Sequence, residues 1–300
     1  MDRARIMKND KVKTCSILVN GSRIDYIRSS MDNYHFIKMN MSPYIMAPGR
    51  VSIDRTPVEQ LPFSQFKKHA EETYLKKGVT VIITVVKLSH ERELKQKVGK
   101  RRKTYFNSPI DYYIAVQIPL SALTPSFVRA CKKLNVSCIF LEHLDQYDWN
   151  NVPWGWISDA FSDTSIPLVP CFPESLSFIK LFMLKARWRK SLSSARITFL
   201  DEPLKEELTL AHEQLFKLGI CPAKGEIRVG GDVDYNLFYV NESRILAGDG
   251  YRLYDRDTPI ISVHKGKLQK AGEGVFFKPG FGEECYTGKA VKFHNKSAFV

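Results

Sequence analysis

Between Pro62 and Lys77 apolar side chains recur at Phe63, Phe66, Ala70, Tyr74 and Leu75, and Gly78 ends that helical stripe immediately before the β-branched run Val79-Thr80-Val81-Ile82-Ile83-Thr84-Val85-Val86. A strand apolar on both faces must be covered on both, and a helix feeding directly into it points to a parallel sheet with crossover helices. The pattern continues along the middle of the chain. Strands are predicted over Tyr112–Ile118, Val136–Leu141 and Ile166–Val169, and helices over Pro125–Leu134, Glu174–Trp188 and Leu204–Leu218. Helix and strand in alternation fit a (β/α) barrel or a doubly wound sheet.

Both ends of the chain read differently. Thr14–Val19, the turn Asn20-Gly21 and Arg23–Ile27 make a hairpin pattern, followed by short strands at Phe36–Met39 and Tyr44–Met46. After Pro222 the helical period is lost, and strands are predicted at Glu226–Val229, Tyr235–Val240, Arg252–Tyr254, Ile260–His264 and Val275–Phe277. A small β unit needs partners, so residues 1–52 and 222–300 are expected to form one composite β domain beside a barrel-like domain at 53–221. No repeat of fixed period and no low-complexity tract interrupts this organisation.

Forty-five basic and 32 acidic side chains leave a net charge of +13. A hydrophobic share of 44% and a charged share of 26% exclude a largely disordered or fibrous chain. No apolar run approaches the ~20 residues of a membrane span and no signal-peptide pattern opens the sequence, so a cytoplasmic location is expected. The six cysteines (Cys15, Cys131, Cys138, Cys171, Cys221, Cys285) contain no C-x-x-C pair, and no two of the seven histidines lie at chelating spacing. Reduced, mostly buried thiols are expected, and neither a disulfide framework nor a metal knot.

The basic residues gather in two places, Lys95, Lys97, Lys100, Arg101, Arg102 and Lys103, then Lys185, Arg187, Arg189 and Lys190. The first run reads as an exposed loop or short helix after a strand. Lys100, Arg101, Arg102, Lys103, Arg187, Arg189 and Lys190 are the anion-binding candidates. Neither run has the interleaved aromatics or the motif of a nucleic-acid binder, so nucleic acid is not an expected partner. An anionic polymer or surface would reveal itself by steep salt dependence.

Two stretches resemble the dihydroorotase, allantoinase and dihydropyrimidinase branch of the amidohydrolase superfamily. Tyr44-Ile45-Met46-Ala47-Pro48-Gly49-Arg50-Val51-Ser52-Ile53-Asp54 is similar to the Pro-Gly-Leu-Ile-Asp-x-His-x-His segment that leads into the first barrel strand. Cys221-Pro222-Ala223-Lys224-Gly225-Glu226-Ile227-Arg228-Val229-Gly230-Gly231-Asp232-Val233-Asp234 is similar to the Asn-Pro-Ala-Lys and Lys-Gly-x-Ile-x-x-Gly-x-Asp-Ala-Asp pattern at the return to the β domain. Gly78-Val79-Thr80 and Pro279-Gly280-Phe281-Gly282 fit the same branch. The resemblance implies a barrel with a composite β domain, and hydrolysis of a cyclic amide by hydroxide on zinc or a similar divalent metal.

The ligands that the resemblance implies are a His-x-His pair, a carbamylated lysine, two later histidines and an aspartate. Aligned on Pro48-Gly49, the pair falls on Asp54 and Thr56, with Arg55 between them. Ser137-Cys138-Ile139-Phe140-Leu141 holds no lysine, Pro170-Cys171-Phe172-Pro173 replaces the first later histidine, and Ile197–Leu200 runs almost directly into the last helix. The barrel is also short. Ile53–Leu218 spans about 166 residues, where a complete one takes about 250, or at least about 200. A truncated or remodelled barrel follows, with no cofactor expected, and the helix around Phe178–Trp188 is predicted to cover its open strand edge.

Asp54, Glu142, His143 and Asp145 would meet in one cleft if all project from the C-terminal ends of barrel strands, a remodelled hydrolytic centre. Trp149, Trp154 and Trp156, with Tyr147, make an aromatic loop that either binds a ligand or partner, or plugs the barrel mouth. Cys171 is at a strand end but has nothing nearby in sequence to lower its thiol pKa. His212 reads as a solvated helix residue. The function expected is that of a catalytically inactive relative acting on a protein partner, a second copy of itself or a ligand, with a metal-dependent cyclic-amide hydrolase and an anion-binding basic protein as alternatives.

Overall fold

The computed structural model describes residues 1–8, 11–162, 164–206, 209–239 and 257–287. Its architecture is mixed α/β, a truncated barrel-like parallel sheet beside a second, mostly antiparallel one. The parallel sheet runs β5 (Arg50–Asp54), β6 (Val79–Lys87), β7 (Asp111–Pro119), β8 (Ile139–Glu142) and β9 (Leu168–Pro170) in sequence order. Its crossovers are α1 (Phe63–Ala70), which continues through a π turn at Glu71–Leu75, α2 (Leu94–Tyr105), α3 (Pro125–Lys133) and α4 (Trp154–Phe161). Thr124 caps α3 through its hydroxyl, with Pro125 at the first helical position.

The eight-stranded sheet draws on both ends of the chain, with β1 (Ala4–Lys8), β2 (Lys11–Asn20), β3 (Arg23–Arg28), β4 (Tyr44–Pro48), β10 (Tyr235–Tyr239), β11 (Ile261–His264), β12 (Lys267–Ala271) and β13 (Gly274–Val275). Its order is β13-β12-β11-β10-β4-β1-β2-β3. The seam is β4 against β10, antiparallel, with Met46 opposite Leu237.

The chain crosses from one sheet to the other within a single residue, Gly49, between β4 and β5. A Cβ there would lie 2.2 Å from Thr80 Oγ1, so only glycine lets the two backbones approach this closely. Asn236 of β10 donates to the Gly78 carbonyl at 2.8 Å. Pro48-Gly49, Gly78-Val79-Thr80 and the start of β10 therefore pack against one another at the junction of the sheets.

Alternation along the barrel strands sorts their side chains into two cores. Ile82, Val86, Ile114, Val116, Ile139 and Leu141 face outward into the helices. Val51, Ile53, Ile83, Val85, Tyr113, Ala115, Cys138, Phe140 and Val169 face inward. The interior is filled by Leu200, Leu204, Leu210, Leu215 and Leu218 from the chain after β9.

That filling corrects the helix expected over Leu204–Leu218, which is reduced to α6 (His212–Lys217). The segment before it runs beside β5 instead, with Leu210 N donating to Val51 O at 2.9 Å and Ser52 Oγ to Glu206 O at 3.2 Å. On the other edge Phe199 bridges Leu168 of β9. Both barrel edges are thus first met by the chain after β9, one by residues 198–200 and the other by Glu206 and Leu210. Helix α5 (Phe178–Ser194) packs outside them, its Trp188 donating to Leu200 O at 2.8 Å.

Three further readings change. Phe36–Met39 is an irregular connection, with Ile37 fully exposed, and not a strand. Glu226–Val229 is an irregular loop that ends in a turn at Val229, because the chain there folds around the buried Lys224 rather than along a sheet. The first basic run is a full twelve-residue helix, α2. The strand expected at Arg252–Tyr254 lies outside the described residues.

Candidate functional site

In a barrel of this kind the chemistry belongs at the C-terminal ends of the strands. Continuing the inward alternation to that end brings up Arg55 after β5, Lys87 of β6, Gln117 of β7, Glu142 of β8 and Cys171 after β9. Glu142 is the hub. Its Oε2 accepts from Gln117 Nε2 at 2.7 Å and pairs with Lys87 Nζ at 3.2 Å, while His143 Nε2 stands 3.7 Å from its Oε1. His143 has a positive φ of 58° and an exposed ring.

Arg55 lies across the mouth. Its guanidinium carbon is 5.0 Å from the centre of the Phe140 ring, and its Nη1 is 3.2 Å from Glu206 Oε1. Burial pushes the Cys171 thiol up to about 11, with Arg55 pulling weakly the other way. Below this ring the interior is apolar, with Cys138 among its side chains and its thiol pushed up to about 12 by burial.

Asp54 is not part of this mouth. Val51 and Ile53 take the inward positions, so Asp54 turns outward into the helical layer. There its Oδ2 meets His69 Nε2 at 2.7 Å and accepts from the Tyr74 hydroxyl, and its Oδ1 accepts from Thr56 N at 2.7 Å. Tyr74 in turn lies 3.1 Å from the Tyr105 hydroxyl. Burial raises the Asp54 pKa, but the hydrogen bonds from His69, Tyr74 and Thr56 outweigh it, and its carboxyl is held below the usual carboxylate range. Glu142 and His143 are brought together; Asp54 lies on the opposite face of the sheet, and Asp145 is exposed in the loop beyond. The four-residue cleft is therefore not assembled.

These donors do not fit the metal centre implied by the resemblance. An arginine covers the mouth, Phe140 lies below it, and among the described residues no three histidine, cysteine or carboxylate ligand atoms converge there. No metal-assisted step is derived through it.

The basic clusters also divide. Arg101 is buried, contacts Thr56 O at 3.1 Å and Thr84 Oγ1 at 2.5 Å, and lies 2.8 Å from Glu59, which removes it from the anion-binding candidates. Arg102 grips Glu284 through Nε and Nη2 at 2.7 to 3.0 Å. Arg189 pairs with Asp201 at 2.8 Å. Lys100, Lys103, Arg187 and Lys190 are exposed.

Of the aromatic loop, Trp149 is buried, donates to Leu144 O, and stacks on Trp154 with ring centres 5.8 Å apart. Trp156 alone stands out, 71% exposed. Trp149 and Trp154 form one wall of a groove of about 890 Å³ between α4 and α5, whose other wall carries Arg187 and Lys190, with Asp148 and Asp159 also lining it. A second groove, about 840 Å³ and mainly apolar, lies over the eight-stranded sheet beneath Tyr34, Phe36 and Ile37.

Lys224, from the second of the two stretches that carry the resemblance, is buried. Its Nζ lies 2.5 Å from Asp111 Oδ2, 2.6 Å from Asp232 and 3.5 Å from Asp234, deep at the junction of the two sheets. His264 and Lys265 join the cluster at 3.0 Å from Asp234 and 2.7 Å from Asp111. Lys224, Asp232 and Asp234 of the stretch 221–234 thus form, with Asp111, the ionic joint between barrel and β sheet.

No family model matches the sequence, and no curated protein matches it. Solved structures do match its fold. The crystal structure of dihydropyrimidinase from Brevibacillus agri NCHU1002 is similar over 97% of this chain and 98% of that one, with a TM-score of 0.57 and 11% identity. The L-hydantoinase (dihydropyrimidinase) from Arthrobacter aurescens is similar over 94% and 98%, with a TM-score of 0.61 and 11% identity. A D-hydantoinase structure is similar over 96% and 98%, with a TM-score of 0.60 and 12% identity. Among the described residues no helix is long and apolar enough to cross a membrane.

Proposed function

We propose that this chain is an amidohydrolase-like pseudo-enzyme that acts by binding a protein partner, a second copy or a ligand rather than by turnover. The reading rests on Arg55. A guanidinium seated on Phe140 and paired with Glu206 puts fixed positive charge where the related chemistry gathers cations, and like charges repel strongly in such a confined, partly desolvated space. The outward turn of Asp54 supports the same conclusion.

The test is turnover of a hydantoin and a dihydropyrimidine, the substrate classes named by the similar structures, with zinc, manganese or cobalt supplied. No hydrolysis above that of buffer is expected from the wild-type chain. Hydrolysis that disappears in Glu142→Gln would overturn the reading and establish a rebuilt hydrolase at the mouth.

A second reading has its own observation. Arg187 and Lys190 face two stacked tryptophans across one groove, an arrangement suited to a ligand carrying both a flat apolar group and negative charge. Binding there would weaken with added salt and on Arg187→Ala.

A further inference from the structure

We propose that His212, Cys221 and Glu226 form a zinc site, built from none of the residues of the barrel mouth and with one coordination position left to solvent. His212 is the first residue of α6, Cys221 follows the turn after that helix, and Glu226 comes from the loop beyond it. Their ligand atoms already converge. His212 Nε2 is 3.2 Å from Cys221 Sγ and 4.0 Å from Glu226 Oε2, and Cys221 Sγ is 3.6 Å from the same oxygen. Zinc bonds of about 2.0 to 2.3 Å at tetrahedral angles place ligand atoms roughly 3.3 to 3.6 Å apart. The observed edges straddle that range, so closing around an ion requires only small rotations.

The trio is held by separately anchored pieces of backbone. Ile220 N and Cys221 N both donate to Leu215 O, at 2.9 and 3.1 Å, which folds the turn back against α6 and brings Cys221 beside His212. Lys224, locked onto Asp111 and Asp232, fixes the loop that presents Glu226. Much of the ordering that a metal would otherwise have to impose is already in place.

The donor set selects the ion. A thiolate and an imidazole with a single carboxylate suit a borderline-soft cation such as zinc and are poor for magnesium or calcium, which take mainly oxygen ligands. On binding, the Cys221 thiol gives up its proton to solvent and the thiolate, the carboxylate and the neutral imidazole coordinate the ion, so affinity rises with pH. Cys221 is buried and His212 is 55% exposed at its side chain, which directs the fourth position outward to water. Three protein ligands and an open position distinguish the site from a closed structural one.

The test uses the full chain, stripped of metal by chelation and titrated with zinc alone, with metal content measured after desalting and cobalt substituted as a spectroscopic probe. One zinc per chain is expected, with a thiolate-to-cobalt charge-transfer band in the near ultraviolet. His212→Asn, an exposed substitution that leaves the core intact, and Glu226→Gln should each weaken zinc at least about tenfold, and Cys221→Ser should remove the band. Zinc binding unaffected by His212→Asn, or no binding at all, overturns the site. Metal that persists in His212→Asn but is lost in Glu142→Gln places the ion at the barrel mouth, which refutes the site and the proposed function together. Metal lost in His212→Asn and retained in Glu142→Gln supports the site and leaves the mouth without one.

Discussion

Replacing Lys224 by methionine keeps the length of the side chain and removes the cation at the centre of the buried joint. Asp111 is 1% exposed and Asp234 9%, so neither carboxylate recovers its hydration when the ammonium is gone. Breaking a buried pair from one side costs about 3–5 kcal/mol. Because Lys265 stays 2.7 Å from Asp111 and His264 stays 3.0 Å from Asp234, the low end applies, about 3 kcal/mol. With an unfolding entropy of ~2.1 cal/mol/K per residue, that loss lowers Tm by about 5 °C. Urea denaturation followed by fluorescence measures it directly. The pH dependence makes the argument stricter. Burial raises the Asp111 and Asp234 pKa values, but His264 and Lys224 outweigh it and hold both carboxyls below the usual range. In the wild-type chain their contribution is therefore present above an unfolded pKa of about 3.9 and is lost as pH falls through the lower folded values. Lys224→Met removes one of the opposing cations and leaves the burial, so both folded pKa values rise from their lowered positions. The deficit of Lys224→Met should accordingly hold between pH 7 and pH 5 and shrink as pH falls below about 4, through the carboxylate range. A deficit below about 1 kcal/mol at pH 7, the size of an exposed pair, or one that does not change with pH, refutes the account.

Arg101→Met should cost about 2–4 kcal/mol, since it leaves Thr84 and the Thr56 carbonyl without their donor. Lys100→Met, one residue earlier and exposed, should fall within about 0.5 kcal/mol of wild type in the same denaturation series. Cys171, with its thiol pushed up to about 11, should react with a neutral disulfide reagent at pH 8 at least about tenfold more slowly than an unhindered cysteine, the smaller thiolate fraction outweighing the greater nucleophilicity of a more basic thiolate; a rate like that of glutathione would show a thiolate that the barrel mouth stabilises.

The parallel sheet was legible because Val79–Val86 is apolar on both faces, a pattern that few other environments tolerate. The residues that carry the family resemblance were legible for a related reason. Gly49, Gly78 and Lys224 answer to close backbone approach and charge burial at the junction of the sheets, constraints that persist whatever the barrel does chemically. Asp54 was misplaced because matching a ligand position ignores the parity of the strand, and one residue of slip moves a side chain to the other face. Arg101 was hidden inside a run of like charges that reads as solvated. Its signal was present all the same, since Leu94, Val98, Arg101 and Tyr105 recur at helical spacing and are the buried face of α2. His212, Cys221 and Glu226 left no mark because their nearness depends on a turn, not on any ligand spacing within one element.

The pairing of β4 with β10 sets an order of events on the ribosome. Roughly 190 residues separate Pro48 from Tyr235, its partner in the register, and at ~5–20 residues per second their synthesis takes about 10–40 s. Throughout that interval the barrel strands can associate with their sequential neighbours, while β4 exposes a bare hydrogen-bonding edge next to the apolar face of Met46 and Ala4. A nascent chain with such an edge is a target for holding chaperones and for pairing with the same edge on a neighbouring polysome. A circular permutant in which β10 is synthesised close in time to β4 would complete the seam early, and should give a higher yield of folded protein.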